Sequence, residues 1–339
     1  MATAYLLSAA PDGPERHPKA LLDLEQMRAS ARADRFHRHR AIEDPEAADL
    51  ILFVETAGAA GHYFHRVRAH PVYRGFRSKC YLFAATDKVV PFLPGVYASI
   101  ERRWYWPAWT RSGHYLGVRE TGGLRYDPRR PPSRLFSFVG AANAHPVRRR
   151  IMQLRHPDAV LIDSHAESLA IERGERAPVP PEDLHGRYVR SIEDCAFVLC
   201  PRGGGTSTFR LFETMMLGRV PVIVSDQWVP PEGPDWESFS LRVEEGAVDT
   251  IPALLEARAA DARAMGEAAR AAWLDWFSAD ASFHRTVEWC LDLARWAPAR
   301  TGPRRFAPFL QMLRPYHAAR SVAKRLGHGR ERASTPGRR

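Results

Sequence analysis

The segment with the most chemistry in it runs Ala196-Phe-Val-Leu-Cys-Pro-Arg-Gly-Gly-Gly-Thr-Ser-Thr-Phe-Arg-Leu-Phe-Glu-Thr-Met-Met-Leu-Gly-Arg-Val-Pro-Val-Ile-Val-Ser-Asp226. An apolar stretch of strand character feeds Gly203, Gly204 and Gly205, and a helical pattern follows whose first hydroxyl residues, Thr206 or Ser207, suit an N-cap. Such a turn leaves backbone N–H groups free and aims the positive end of a helix dipole at whatever lies before it, with Arg202 alongside. A phosphate fits that description. Along the helix Thr206, Arg210 and Glu213 share one side, while Phe209, Phe212 and Met216 recur on another and predict the core stripe. A guanidinium there can fork onto diphosphate oxygens and a carboxylate can accept two ribose hydroxyls; the competing reading is an ordinary intrahelical Arg–Glu surface pair. Asp226 and Trp228, after the next strand, either border the same pocket or turn a loop. Three familiar loops are excluded by letter. There is no GxxxxGK[ST], Thr208 stands where a dinucleotide GxGxxG wants its last glycine, and Phe209 replaces the final glycine of GxSxG.

Other chemistry-bearing residues are weaker signals. From Pro91 to Tyr126 the chain turns aromatic and basic, with Trp104, Tyr105, Trp106, Trp109 and Tyr115 among Arg102, Arg103, Arg111 and Arg119, which predicts irregular structure lining something. His37-Arg-His-Arg40 and His62-Tyr-Phe-His65 have near-ligand spacing, but no acidic or cysteine partner lies close in sequence, so no metal is expected there. Cys80, Cys195, Cys200 and Cys290 form no CxxC pair and sit in apolar surroundings, as buried free thiols do. The net charge of +10 invites a nucleic-acid partner, yet residues 320–339 hold +6 of it and leave +4 for the rest. With no aromatic-basic repeat or RNA motif, a nonenzymatic nucleic-acid or nucleotide binder is the alternative reading rather than the first, and no nucleic-acid partner is expected. The failed glycine spacing likewise removes a nucleotide-dependent oxidoreductase.

The elements that must position these groups alternate in period. The 339 residues, 45% hydrophobic and 26% charged, suit a globular protein of two domains. Short apolar runs at Ala4 to Ala9, Asp49 to Glu55 and Lys79 to Ala85 predict strands of a sheet buried on both faces, with a helix from Pro18 to Arg32 between the first two. Asp127-Pro-Arg-Arg-Pro-Pro-Ser133 is the linker candidate. Strands at 135–139, 159–163, 196–200 and 220–225 then alternate with helices at 145–154, 186–194 and 206–217, predicting a doubly wound α/β parallel sheet. Helices at 250–258, 261–275 and 281–295 precede a Pro/Gly/Arg-rich end. No run approaches the ~20 apolar residues of a membrane span, and Met1 to Ala10 lacks the pattern of a signal peptide, so a cytoplasmic protein is expected.

The stretch Phe197-Val-Leu-Cys-Pro-Arg-Gly, through Arg210-Leu-Phe-Glu-Thr to Gly218-Arg-Val-Pro-Val-Ile-Val-Ser-Asp226, resembles the signature of the exostosin family of glycosyltransferases. Leu135-Phe-Ser-Phe-Val-Gly140, Pro94-Gly-Val-Tyr97 and Trp236-Glu-Ser-Phe-Ser-Leu-Arg-Val243 fit as well, so the resemblance covers roughly residues 48 to 260. It implies a GT-B fold, two Rossmann-like doubly wound domains facing across a cleft. Residues 1–131 would form the acceptor side, 132–280 the sugar-nucleotide domain, 281–299 a terminal helix packing back towards the first domain, and 300–339 a basic tail. The implied chemistry is inverting sugar transfer from a nucleoside-diphosphate sugar, with no metal and no other cofactor; the sequence holds no DxD triplet. Neither the membrane anchor nor the second catalytic domain of the heparan-sulfate enzymes is expected. The expected partner is therefore a glycan or lipid-linked acceptor in bacterial surface-polysaccharide synthesis, an inference that the Arg- and Ala-rich composition suits.

That chemistry needs a base and a charge stabiliser. Arg202, Arg210 and the N–H groups of Gly203, Gly204, Gly205, Thr206 and Ser207 are expected to bear the diphosphate charge, with Glu213 on the ribose and Asp226 at the border. Asp87, emerging at the carboxyl end of a buried strand, is the first candidate base, and Glu55 after the preceding strand is the second; turn-capping is the plain alternative for Asp87. Trp104 and Trp106 could stack acceptor sugars while Arg103 holds an acidic group, although large aromatics also fill cores. The basic end predicts peripheral contact with the inner membrane, where each Lys or Arg near an anionic leaflet contributes on the order of 1 kcal/mol.

Overall fold

The computed structural model describes residues 1–10, 21–56, 65–87, 90–116, 125–175 and 180–297, with residues 177, 306, 310, 313 and 315 besides. Two parallel sheets organise them. The first contains β1 (Ala2–Leu7), β2 (His39–Ile42), β3 (Leu50–Glu55), β4 (Cys80–Ala84), β5 (Gly95–Tyr97) and β6 (Thr110–Ser112), in the order β2-β1-β3-β4-β5-β6. The second contains β7 (Arg134–Gly140), β8 (Ala159–Asp163), β9 (Cys195–Pro201), β10 (Val220–Val224) and β11 (Leu241–Arg242), in the order β11-β10-β9-β7-β8. Helices α1 (Leu22–Arg32), α2 (His65–Ala69) and α3 (Pro71–Gly75) connect the first sheet. The second sheet carries α4 (Pro146–Ile151), α5 (Ser164–Glu172), α6 (Pro181–Glu193), α7 (Phe209–Met216) and α8 (Trp236–Phe239), and α9 (Ile251–Ala257), α10 (Ala262–Trp276) and α11 (Ser282–Arg295) follow. Two doubly wound parallel-sheet domains are the GT-B arrangement that the resemblance implied.

The strands read as they do because both faces of each sheet are covered. On β3, Leu50, Leu52 and Val54 face α1 and α11, while Ile51 and Phe53 face α2 and α3, the two-residue period of a strand. In the second sheet Phe197, Leu199, Val222 and Val224 face α4 and α9, and Val198, Cys200 and Ile223 face α7 and α10. Pro221 survives inside β10 for a reason visible in the ladder. Ile223 C=O accepts from Val243 on the β11 side, so Pro221, two residues earlier, turns its missing N–H to that side, and β11 pairs only with Val222 and Ile223. All four cysteines are buried.

Several elements differ from expectation. Strand β2 was not anticipated, because His39-Arg-Ala-Ile42 has too few apolar residues to stand out. The aromatic stretch holds two three-residue strands, β5 and β6, too short to show a period. Helix α5, with no fully buried residue, left no apolar stripe to read. Helix α7 begins at Phe209 after Thr208, not at Thr206 or Ser207, for a reason that lies between the domains. Among the described residues no helix is long and apolar enough to cross a membrane.

Candidate functional site

The strand order of the second sheet reverses between β7 and β9, and a crevice opens beyond the carboxyl ends of neighbours at such a point. Arg210, the second residue of α7, reaches into it. Its Nη2 donates to Val139 C=O at the end of β7, its guanidinium lies 4.7 Å over the Phe138 ring, and it is 7% exposed. Its Nε and Nη1 are buried without a hydrogen-bond partner. Arg148 of α4 lies 5.5 Å from the same ring and donates from Nε to Arg202 C=O at 2.8 Å. Burial, with Arg210 nearby as the next cause, pushes the Arg148 guanidinium down to about 10. Among the described residues no carboxylate forms an ion pair with either arginine. Two desolvated cations, with idle donors on Arg210, are costly alone, and an anion between them would compensate the cost.

The crevice deepens into a cavity of about 520 Å³ lined by Val139, Arg148, Thr208, Arg210, Glu213 and faces of α5 and α6. Glu213, 4% exposed, accepts a hydrogen bond from the Tyr188 hydroxyl, and burial of that phenol holds its pKa well above the usual tyrosine value. His185, whose Nε2 is buried without a partner, lies farther along the wall. The arrangement offers cations at one end, a carboxylate with a phenol at its side, and room for a ligand of nucleotide size.

The glycine loop is built differently from expectation. Thr206 N–H and Ser207 N–H both donate to Ser99 Oγ, at 2.7 and 3.1 Å, and Thr206 Oγ1 donates to Ile100 C=O. Two of the five amides expected to hold phosphate are thus spent on the first domain, and Gly203 N–H donates within the loop to Gly205 C=O. This holds the chain extended through Thr208 and delays the start of α7 to Phe209. A Cβ on Gly205 would lie 2.3 Å from Ser99 Oγ and 2.7 Å from Asp87 C=O, and one on Gly203 would lie 2.8 Å from Arg148 Nη2. These glycines admit the protein's own groups. Gly204 is exposed. Phe209, expected in the core, is 40% exposed, lines the cavity and stacks on Tyr115 at 4.0 Å. Arg202 does not join Arg210 in the cavity lining: its Nη1 lies 3.7 Å from Glu245. Asp226 trades hydrogen bonds with the same glutamate, its N–H donating to Glu245 and its carboxylate accepting from Glu245 N–H, so both are held beyond β10.

From the first domain, Asp87 stands at the carboxyl end of β4 against Gly205, exposed, accepting from the Tyr115 hydroxyl at 2.6 Å. Glu55 lies at the strand reversal of its own sheet, where β3 follows β1. It is buried, accepts from Ser8 Oγ and Ala9 N–H, and desolvation pushes its carboxyl up to about 7. The tryptophans lie elsewhere. Trp106 and Trp109 stack at 6.0 Å just before β6, the end of the parallel sheet opposite the glycine loop. Trp104 Nε1 and Arg103 Nε both donate to Glu101. None of Trp104, Trp106 and Arg103 lines the cavity. Residues missed by sequence reasoning are Arg148, Tyr188 and Ser99. Arg148 alone carried a signal, since it lies in the first turn of the helix that follows the strand ending in Val139-Gly140.

Fold and site together define a two-domain parallel α/β protein of GT-B type with an anion-accepting cavity at the switch point of its second sheet. Residues 107–257 match the Exostosin GT47 domain. It is 29% identical over 154 residues to an Exostosin-1 homolog of Caenorhabditis elegans, covering 42% of this chain and 40% of that protein. It is 27% identical over 134 residues to Exostosin-2 of Bos taurus, covering 37% and 18%. The chain thus spans less than half the length of these curated relatives. Among solved structures, Anabaena HepE in complex with UDP aligns with 88% of this chain and 100% of its own at 12% identity and a TM-score of 0.36. The glycotransferase of kitacinnamycin aligns with 85% and 86%, at 12% identity and a TM-score of 0.37.

Proposed function

We propose that the protein is an inverting, metal-independent glycosyltransferase that takes a nucleoside-diphosphate sugar in the cavity between β7 and β9 and passes the sugar to a glycan or lipid-linked acceptor of bacterial surface-polysaccharide synthesis. The observation that carries this reading is Arg210: a guanidinium 7% exposed, with two buried donors unpaired, at the mouth of a nucleotide-sized cavity inside an exostosin GT47 domain. The acceptor oxygen attacks the anomeric carbon from the face opposite the diphosphate. The carbon–oxygen bond to the diphosphate breaks with its electron pair, and the acceptor proton passes to a carboxylate of the first domain. Arg210, Arg148 and the amino end of α7 receive the charge on the leaving group, an electrostatic role fixed before the reaction begins. Glu213, braced by Tyr188, faces the ribose. That arginines rather than a divalent cation do this rests on the family resemblance and on the absence of a DxD triplet.

Calorimetric titration with a panel of nucleoside diphosphates and their sugars tests the reading. One of them should bind, and Arg210→Gln should weaken it by about 10–100-fold, the worth of a charged hydrogen bond. Silence across the panel by the folded protein would reject the donor site. The basic segment 320–339 lies outside the described residues. We place the enzyme in the cytoplasm with that segment at the inner membrane, and co-sedimentation with anionic vesicles should be lost when the chain is cut after Pro315.

A further inference from the structure

Away from the cavity, three groups with lone pairs converge where β2 meets α11. His39 sits on β2, and His284 and Glu288 stand four residues apart on one face of α11. One ligand atom from each lies within 4.8 Å of the others, and His39 Nε2 is 2.7 Å from Glu288 Oε1. The His284 ring, 3% exposed, is stacked between Phe36 at 4.2 Å and His39 at 4.9 Å. Its Nδ1 is nevertheless buried without a hydrogen-bond partner. Asp34, whose carboxylate acts electrostatically on His284, also has a buried unpartnered oxygen, Oδ2. The ring contacts hold His284 in place while leaving one of its nitrogens without a partner, which calls for a ligand. None of the three residues lines the cavity.

We propose that His39, His284 and Glu288 bind a divalent transition metal, zinc by preference, as a clasp between the edge strand β2 and the helix α11. Two imidazoles and a carboxylate are a donor set that zinc accepts, with water completing a tetrahedron. Zinc bonds of about 2.0–2.1 Å set tetrahedral ligands ~3.3 Å apart, so the ligand atoms, all within 4.8 Å of one another, must close by no more than roughly 1.5 Å. Glu288, with its side chain 45% exposed, has the freedom to swing. The proton balance is simple. His39 Nδ1 accepts from Ala2 N–H at 3.3 Å, so the ring proton sits on Nε2 and is donated to Glu288. Metal binding through Nε2 moves that proton to Nδ1 and gives up the long contact to Ala2. The neighbouring cations do not compete, because Arg35 pairs with Asp275 and Arg285 donates to Asp275 C=O.

The test uses the full chain without a histidine tag, stripped with EDTA and titrated with zinc alone against a chromogenic chelator. One zinc per chain should bind and raise Tm, and cobalt in its place should give the absorption of a tetrahedral site. Glu288→Gln, an exposed and isosteric change, should fold normally. It should weaken zinc by at least the ~10–100-fold seen on losing an outer-shell partner, and abolish the zinc-dependent rise in Tm. His284→Asn should do the same. Failure of the wild-type chain to bind zinc at micromolar concentrations, or equal affinity in Glu288→Gln, would overturn the clasp and leave the cluster as a stacked His–Glu hydrogen bond.

Discussion

At the scale of single residues, the choice of base rests on two carboxylates in opposite environments. Asp87 is exposed, touches the glycine loop and acts electrostatically on Arg148, so it stands beside the cations proposed to hold the leaving group. Glu55 is buried at the other strand reversal with its carboxyl raised to about 7. Asp87→Asn should leave donor affinity intact and cut turnover by about 10²–10⁴-fold. Near-normal turnover would move the role to Glu55, and the pH profile of kcat/KM should then break near 7. Glu55 also makes a prediction that needs no activity. Its folded pKa of about 7 lies above the ordinary glutamate value of 4.5. Its contribution to stability is therefore complete below pH 4.5 and lost as pH rises through 7. Glu55→Gln should accordingly gain on the wild type between pH 4.5 and 8, by on the order of 3 kcal/mol, in paired thermal melts. A constant difference across that range would show that the buried carboxyl is not held protonated.

At the scale of elements, the loop between β9 and α7 is where sequence and structure part most instructively. Strand, glycines and helix were legible because the apolar period and the three glycines are local. What the glycines are for was not, because Ser99 and Asp87 lie about a hundred residues away in the chain and only the fold brings them to Gly205. Arg210 and Glu213 were legible as a pair on one helix face. Arg202 and Asp226 were assigned by proximity in sequence to a cavity from which Glu245 holds them back. The loop can be tested glycine by glycine. Gly205→Ala puts a Cβ against Ser99 Oγ and the Asp87 backbone, which cannot rotate away, so it should cost about 1–3 kcal/mol and loosen donor binding. Gly204→Ala, at an exposed position without positive φ, should stay within about 0.5 kcal/mol of the wild type. Equal effects of the two in urea titrations would mean that the contact between loop and first domain carries no strain-sensitive packing.

At the scale of the whole molecule, one apolar core joins both sheets. Leu52, Val54 and Phe83 of the first sheet belong to the same buried cluster as Val198, Phe212 and Ile223 of the second domain, bridged by Phe277, Phe283 and Trp289. Two domains sharing a core should unfold together, with fluorescence and circular dichroism tracing one transition. His114 lies in that shared layer, tilted against Phe212 and Phe277 and edge-on to Phe83. Ser282 Oγ already donates to backbone carbonyls, so it accepts from His114 Nε2–H and leaves Nδ1 buried with a lone pair. Burial pushes this imidazole down to about 3 from 6.5. The unfolded chain thus binds a proton that the folded chain refuses throughout that interval. Stability from this group is complete above pH 6.5 and drains away as pH falls towards 3, at up to about 1.4 kcal/mol per pH unit. His114→Leu removes the site of protonation while keeping an apolar filling. The variant should be less stable than the wild type at neutral pH, having lost the Ser282 bond, yet should lose less between pH 6.5 and 4.5 in urea denaturation. Parallel pH dependence in the two proteins would show that the acid sensitivity of the shared core arises from other groups.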